Sequence, residues 1–235
     1  MKTIAKLIPF LFLLLLLGTS CSREASNPIE RTYSNTGFSE LEAGEQFRFD
    51  ISYGPAFSIR ASGEARDLND LLLTNSGNLL RIEYSKYRLN RKIVRFTITM
   101  PSLRLLNLSG QAQAILIGFV ETGTVKYTVS GQSAVWANTV SPSMDLEATG
   151  QAKIEMQGGS SANILASASG QSSILLYALT GVTSAAVSAS GQSTIKVKAS
   201  AQLYANASGQ SRIYYQGNPG ILQITESGQS RVVKE

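Results

Sequence analysis

From about residue 102 onward, apolar and small polar residues alternate in short runs, and the same three residues interrupt each run. The tripeptide Ser/Thr-Gly-Gln places its glycine at Gly110, Gly131, Gly150, Gly170, Gly191, Gly209 and Gly228, at intervals of 21, 19, 20, 21, 18 and 19 residues. Aligned on those glycines, the positions two and four before are apolar, as in Leu108 and Leu106, Val129 and Tyr127, or Ala148 and Leu146, with Glu226 the exception. The fourth position after holds Ala114, Val135, Ile154, Ile174, Ile195, Ile213 and Val232, and the second after holds only Ala or Ser. Alternation of period two predicts a strand with one buried face. Each repeat therefore predicts two short strands, one ending at the glycine and one starting after it. The glycine supplies the bend, where a missing Cβ permits left-handed backbone angles or close approach of the next coil. Identical columns at a fixed period stack only when successive coils lie in register, because one coil cannot bury its apolar side alone. The predicted fold class is all-β: a parallel β-helix, or solenoid, of about seven coils, right-handed because parallel crossovers almost always are. At about 4.8 Å per coil the seven rungs are on the order of 30 Å long.

The column after the glycine, Gln111, Gln132, Gln151, Gln171, Gln192, Gln210 and Gln229, predicts a structural ladder. Stacked primary amides hydrogen-bond along the axis and pin a register that otherwise drifts in strands rich in Ala and Ser. A row of amides that binds glycan is the competing, weaker reading.

Residues 31–101 lack the repeat but remain strand-rich. Phe47, Phe49, Ile51 and Tyr53 alternate on one strand, and after the turn Tyr53-Gly54-Pro55-Ala56 the stretch Phe57 to Ala61 is expected to return as its hairpin partner. Arg66 to Leu73 is expected to form a short helix with Leu68, Leu71 and Leu72 on one side. Leu79 to Tyr84 and Ile93 to Met100 predict two more strands. The basic cluster that joins them, Lys86, Arg88, Arg91, Lys92 and Arg95 interleaved with Tyr87 and Phe96, is expected to be a solvated hairpin tip, with an RNA or anionic-glycan patch the competing, weaker reading. The segment as a whole is expected to cap the solenoid, whose last coil would otherwise expose unpaired backbone groups. At the other end Arg231, Lys234 and Glu235 blunt the edge, or that end pairs with a second copy as a homodimer.

The start of the chain has a different character. Lys2 and Lys6 precede an apolar stretch from Leu7 to Leu17, then Gly18-Thr19-Ser20 and Cys21. This is the pattern of a secretory signal, too short to span a membrane comfortably, and the small residues before a lone cysteine resemble the lipobox of bacterial lipoproteins. Such a resemblance implies acylation of Cys21 and anchoring in a membrane, expected to be the outer membrane. The expected layout is thus a signal peptide over 1–20, a linker over 21–30 after the lipidated cysteine, a β-rich cap over 31–101 and the solenoid over 102–235. Cys21 is the only cysteine, so no disulfide forms within the chain.

Charge and residue inventory narrow the function. Without Lys2 and Lys6 the net charge falls from +5 to +3, spread nearly evenly, which is no footprint for nucleic acid. The chain has no histidine, which excludes Ser-His-Asp and Cys-His catalysis and histidine metal sites; no cofactor is expected. A carboxylate pair would suffice for a glycosidase, but Asp145, Glu147 and Glu155 are better explained as solvated charges. Trp136, Tyr177 and Tyr214, on an outward face five or seven residues after a glycine, form the expected binding surface for a glycan or a protein. A purely structural envelope component and a polysaccharide-processing β-helix enzyme are the alternatives.

Gly37-Phe38, Pro101-Ser102-Leu103 and the Ser-Gly-containing repeats from Ser109-Gly110-Gln111 onward resemble a bacterial family described as putative auto-transporter adhesin, head GIN domain. The resemblance extends over roughly residues 31–233. It implies a lipoprotein with a β-helical body and, through the family's name alone, adhesion. Many members carry a small or acidic residue where this chain has Gln, so any role of those acids does not carry over.

Overall fold

The structure is a computed structural model that describes residues 24–235; the expected signal peptide and Cys21 lie outside the described residues. The N-terminal part contains β1 (Ile29–Tyr33), β2 (Glu40–Ala43), β3 (Arg48–Tyr53), β4 (Ser58–Gly63), α1 (Ala65–Asn69), β5 (Leu71–Ser76), β6 (Leu79–Tyr84) and β7 (Arg95–Met100). Seven strand pairs follow: β8 (Leu105–Leu108) with β9 (Gln113–Val120), β10 (Thr124–Val129) with β11 (Ala134–Val140), β12 (Ser143–Ala148) with β13 (Lys153–Ser160), β14 (Asn163–Ala168) with β15 (Ser173–Leu175), β16 (Ser184–Ala189) with β17 (Thr194–Lys198), β18 (Gln202–Ala207) with β19 (Arg212–Gln216), and β20 (Ile221–Glu226) with β21 (Arg231–Lys234).

The first strand of every pair stacks into a ten-stranded sheet and the second into an eleven-stranded sheet. From β8 onward all neighbours are parallel, and every register matches the columns read from the glycines: Tyr127 pairs with Leu106 and Leu146, Val135 with Ala114 and Ile154. The fold is thus an all-β solenoid of about six turns, with its core between the two sheets.

The N-terminal part is threaded differently from its chain order. Coil β2–β3 stacks directly on coil β8–β9, with Leu41 opposite Leu106 and Phe49 opposite Ala114. Coil β6–β7 stacks on its far side, with Leu80 opposite Leu41 and Phe96 opposite Phe49. Antiparallel β5 closes the ten-stranded sheet, and antiparallel β4 and β1 close the eleven-stranded one. A reversed strand ends a parallel stack and covers its edge.

Three sequence expectations change here. Phe57 to Ala61 does not return against the Phe47–Tyr53 stretch: β4 pairs with β7 and β1, while β3 lies parallel between β7 and β9. The expected helix over Arg66 to Leu73 covers only Ala65–Asn69; Leu71 and Leu72 belong to β5, where alternation against β6 places them on opposite faces. The basic segment is not a hairpin tip, because β6 and β7 belong to different sheets. Arg91 is 8% exposed and pairs with Asp67 and Asp70 at 3.1 Å each, with its guanidinium 3.6 Å from the centre of the Tyr84 ring. Arg88 also pairs with Asp70, and the Lys92 N–H donates to Asp67 at 2.9 Å. Two acids on α1 and at its end thus draw the arginines onto the body, a pull that composition alone does not display.

Candidate functional site

The glutamine column forms a continuous ladder along one edge of the solenoid. Gln111 donates to Gln132 at 3.1 Å, Gln132 to Gln151 at 2.9 Å and Gln151 to Gln171 at 3.2 Å. Gln171 then donates to Gln192 at 3.1 Å, Gln192 to Gln210 at 3.2 Å and Gln210 to Gln229 at 3.3 Å. Beneath the side chains, the N–H of Gln132 donates to the Gly110 carbonyl at 2.7 Å, and the later copies repeat this bond. The close approach explains the glycines: a Cβ on Gly131 would lie 2.6 Å from that carbonyl, and its φ is +72°. Amides so engaged with one another have fewer free donors and acceptors for a ligand.

On the outward face of the eleven-stranded sheet, Ile115, Trp136, Glu155, Leu175, Lys196 and Tyr214 form one column, one residue per coil. Trp136 and Tyr214 therefore stand four rungs apart, about 19 Å at 4.8 Å per rung. Tyr177 follows β15 and joins Tyr214 rather than Trp136. The Lys196 ammonium lies 5.3 Å from the Tyr177 ring centre and 4.8 Å from that of Tyr214. The Tyr177 hydroxyl donates to the Glu235 carboxylate at 3.0 Å. Burial, and then that carboxylate, push the Tyr177 phenol above its usual range. Trp136 faces Lys153, at 6.0 Å, and shares its region of the sheet with exposed Ile115 and Ile117. The three aromatics are two separate features.

The ten-stranded sheet carries a concavity that aromatic residues alone did not flag. Its outward columns run Leu105, Lys126, Asp145, Leu165, Ala186, Tyr204, Gln223 and Asn107, Thr128, Glu147, Ser167, Ser188, Asn206, Thr225. Leu165 (55% exposed) and Tyr204 (39% exposed) stand two rungs apart with only Ala186 between them. The missing side-chain bulk leaves an open groove of about 430 Å³. Ser167, Ser188 and Asn206 line its length, and Asp145 and Glu147 close one end. Asp145 is neutralised by Lys126 at 3.1 Å. Glu155 is likewise paired, with Lys153 at 2.8 Å, on the other sheet. Glu147 has no hydrogen-bond or ion-pair partner among the described residues, so the groove holds one uncommitted carboxylate. The signal in the sequence was an outward column five before each glycine, in which one Ala separates a Leu from a Tyr.

Among the described residues, no group of three or more His, Cys, Asp or Glu side chains comes together as a metal site. An apolar slot flanked by hydroxyls, an amide and one free carboxylate suits a ligand with ring carbons and hydroxyl or amino substituents.

No curated protein matches the chain. Among solved structures, the fold is similar to a putative adhesin from Bacteroides fragilis, at 17% identity and a TM-score of 0.82, covering 90% of this chain and 98% of that one. It is also similar to a putative lipid binding protein from Parabacteroides distasonis, at 16% identity and a TM-score of 0.67, covering 89% and 97%. A putative adhesin from Parabacteroides merdae matches at 11% identity and a TM-score of 0.66, covering 90% and 98%. At these identities the likeness is one of fold. The family model described as putative auto-transporter adhesin, head GIN domain, matches residues 37–219, nearly the whole double stack from the coil at β2 to the end of β19, and the chain belongs to that family.

Proposed function

We propose that this protein is a non-catalytic lipoprotein of the cell envelope, held by acylated Cys21, whose solenoid binds saccharide through the groove of the ten-stranded sheet. The observation that carries the reading is the gap over Ala186 between Leu165 and Tyr204, bordered by the unpaired Glu147. A sugar ring presents C–H faces to such apolar walls and hydroxyls to Ser167, Ser188 and Asn206. The family's adhesin description and the absence of histidine support binding rather than turnover. The test is binding to immobilised surface glycans by the wild type and by Ala186→Trp, which fills the slot without touching the core. At least a tenfold loss is expected; unchanged binding sinks the groove as the site.

The apolar surface of Trp136, Ile115 and Ile117 favours a second contact, with a protein partner. Trp136→Ala separates the two: it should leave glycan binding intact while weakening adhesion to protein-coated surfaces.

A further inference from the structure

The segment 86–92 offers a surface that the groove does not use. Tyr87 is 87% exposed and Leu89 70% exposed, two residues apart on one short loop. Single exposed apolar residues are ordinary. Here, however, the loop is fixed at its base by the pairing of Arg88 and Arg91 with Asp67 and Asp70, and by Arg66, which donates to the Asn90 carbonyl at 2.8 Å. Asn90 takes a left-handed φ of +57°, a tight turn that this anchoring sustains. The rings and methyls of Tyr87 and Leu89 are thus presented outward from a braced support. Arg88 and Arg91 are taken up by Asp70 and Asp67, while Lys86, beside Tyr87, is exposed.

The position of this loop relative to the start of the chain identifies what it meets. Glu24 pairs with Arg95 at 2.9 Å, and Arg95 opens the strand that follows the loop. Ser26 donates from its N–H to Glu64 at 2.7 Å, immediately before α1. Two residues, Ser22 and Arg23, separate Cys21 from Glu24, three chain steps that reach roughly 10 Å at most. An acyl chain on Cys21 therefore holds the membrane close to this end of the solenoid, whereas β20 and β21 lie at the opposite end of the stack.

We propose that segment 86–92 is a second membrane attachment, which seats Tyr87 and Leu89 at the headgroup boundary of the bilayer that anchors Cys21. It rests on the reading of Cys21 as lipidated. Aromatic and leucine side chains beside an exposed lysine suit that boundary: the apolar parts enter the acyl region while the Lys86 ammonium meets anionic headgroups. One lipid-bearing residue alone lets the solenoid swivel. A second contact fixes which end faces outward and keeps the groove at a set distance from the membrane.

The experiment uses the full chain reconstituted in vesicles of phosphatidylethanolamine and phosphatidylglycerol. An acylated Cys21 has no free thiol, so Tyr87→Cys and Leu89→Cys each give a unique site for a polarity-sensitive fluorophore, with Tyr204→Cys as the distant control. The expected result is a blue shift and quenching by lipid-borne nitroxide at positions 87 and 89, with neither at 204. Labels at 87 and 89 that stay as wet as the one at 204, on vesicles carrying the acylated protein, overturn the proposal. Labelling of the wild type at Cys21 would instead show that the anchor reading has failed. That free protein is then floated with the same vesicles: flotation abolished by Tyr87→Ser with Leu89→Ser upholds the loop contact, and no flotation overturns it.

Discussion

The coils nearest the N-terminal end are filled by rings, while the coil that runs from Asn163 to Leu176 is filled by Ile164, Ala166, Ala168, Ile174 and Leu176. In the former, Phe49 stacks on Phe96 with ring centres 5.0 Å apart, and Phe47 meets Phe96 edge-on at 5.3 Å. The bends differ in the same way. In the repeats, glycine lies on glycine, with room for no Cβ. In the N-terminal coils the corresponding positions carry Glu45, at φ +59°, and the ten-residue connection 85–94. The repeats hold together through backbone proximity, which demands small residues at fixed places and leaves the outward columns free to vary. The N-terminal coils hold together through particular side chains, which permits a chain order that skips back over itself.

If that contrast is right, the deepest damage at the N-terminal end comes from a charge and not from a bend. Asp67 is fully buried and receives both Arg91 and the Lys92 N–H. Asp67→Ala leaves Arg91 buried and short of a partner, which costs about 3–5 kcal/mol, measurable by urea unfolding. The same network gives the region an acid sensitivity. The Asp70 carboxyl is held below its usual range by the hydrogen bond from Arg88, with burial opposing and Arg91 assisting. The associated stabilisation is therefore complete above the ordinary aspartate range and is lost as pH falls through the lower folded value. On acidification the amides of segment 70–95 should exchange faster before those of the repeat coils, whose ladder is made of neutral groups; hydrogen exchange at stepped pH checks this.

In the repeats the costly change is a single methyl group at a bend. Gly170 has φ +77°, and a Cβ there would lie 2.7 Å from the Gly150 carbonyl. Gly170→Ala adds left-handed strain of roughly 1–2 kcal/mol to a backbone displacement of roughly 1–3 kcal/mol, so a loss of about 2–5 kcal/mol is expected in the same unfolding measurement.

The difference between the two regions also explains what the sequence disclosed. Every repeat states its own register, because Ser/Thr-Gly-Gln appears wherever two bends touch, and the ladder from Gln111 to Gln229 followed from that alone. The coil at β2–β3 has the same columns, with Leu41, Ala43, Glu45, Gln46 and Phe49 in the places of Leu106, Leu108, Gly110, Gln111 and Ala114. It was hidden because Gly44-Glu45-Gln46 replaces the tripeptide and Phe47 stands where the repeats have Ala or Ser. The placing of β6–β7 outside it has no local signature, since it depends on which ring fits against which. The groove is hard to read in the sequence for the opposite reason: it arises where Ala186 is short, and the bulky side chains, such as Trp136, stand elsewhere.

Glu45 permits a gentler probe of the bend column. Gly110 packs directly on it, so the column continues into the N-terminal coil with a non-glycine residue at φ +59°. Glu45→Gly relieves left-handed strain of roughly 1–2 kcal/mol, partly offset by the greater freedom of glycine in the unfolded chain. A net gain of about 1 kcal/mol is expected, opposite in sign to Gly170→Ala although both exchanges lie in one column. A loss of stability on Glu45→Gly would show that the N-terminal coils depend on the glutamate itself rather than tolerate it.

The smallest effect is also a matter of sign within one column, this time inside the repeats. Two residues after the glycines, Ser172, Ser211 and Ser230 are buried, and each donates to a carbonyl of the preceding coil at 2.9 Å while lying 2.8 Å from a second carbonyl three residues back. Ser133 occupies the same place between Ala112 and Ala152, yet its hydroxyl has no partner. The carbonyl it would reach, that of Leu108, instead accepts from the Ser130 hydroxyl at 3.4 Å. A buried hydroxyl without a partner has lost its hydration for nothing, whereas a satisfied one contributes about 1 kcal/mol. Ser133→Ala should therefore gain about 0.5–1 kcal/mol and Ser172→Ala lose about 1 kcal/mol, read as opposite shifts of the unfolding midpoint at unchanged slope. Equal losses at both positions would mean that the column wants hydroxyls for a reason other than these bonds, and that the alanines on either side of Ser133 are not its equivalents.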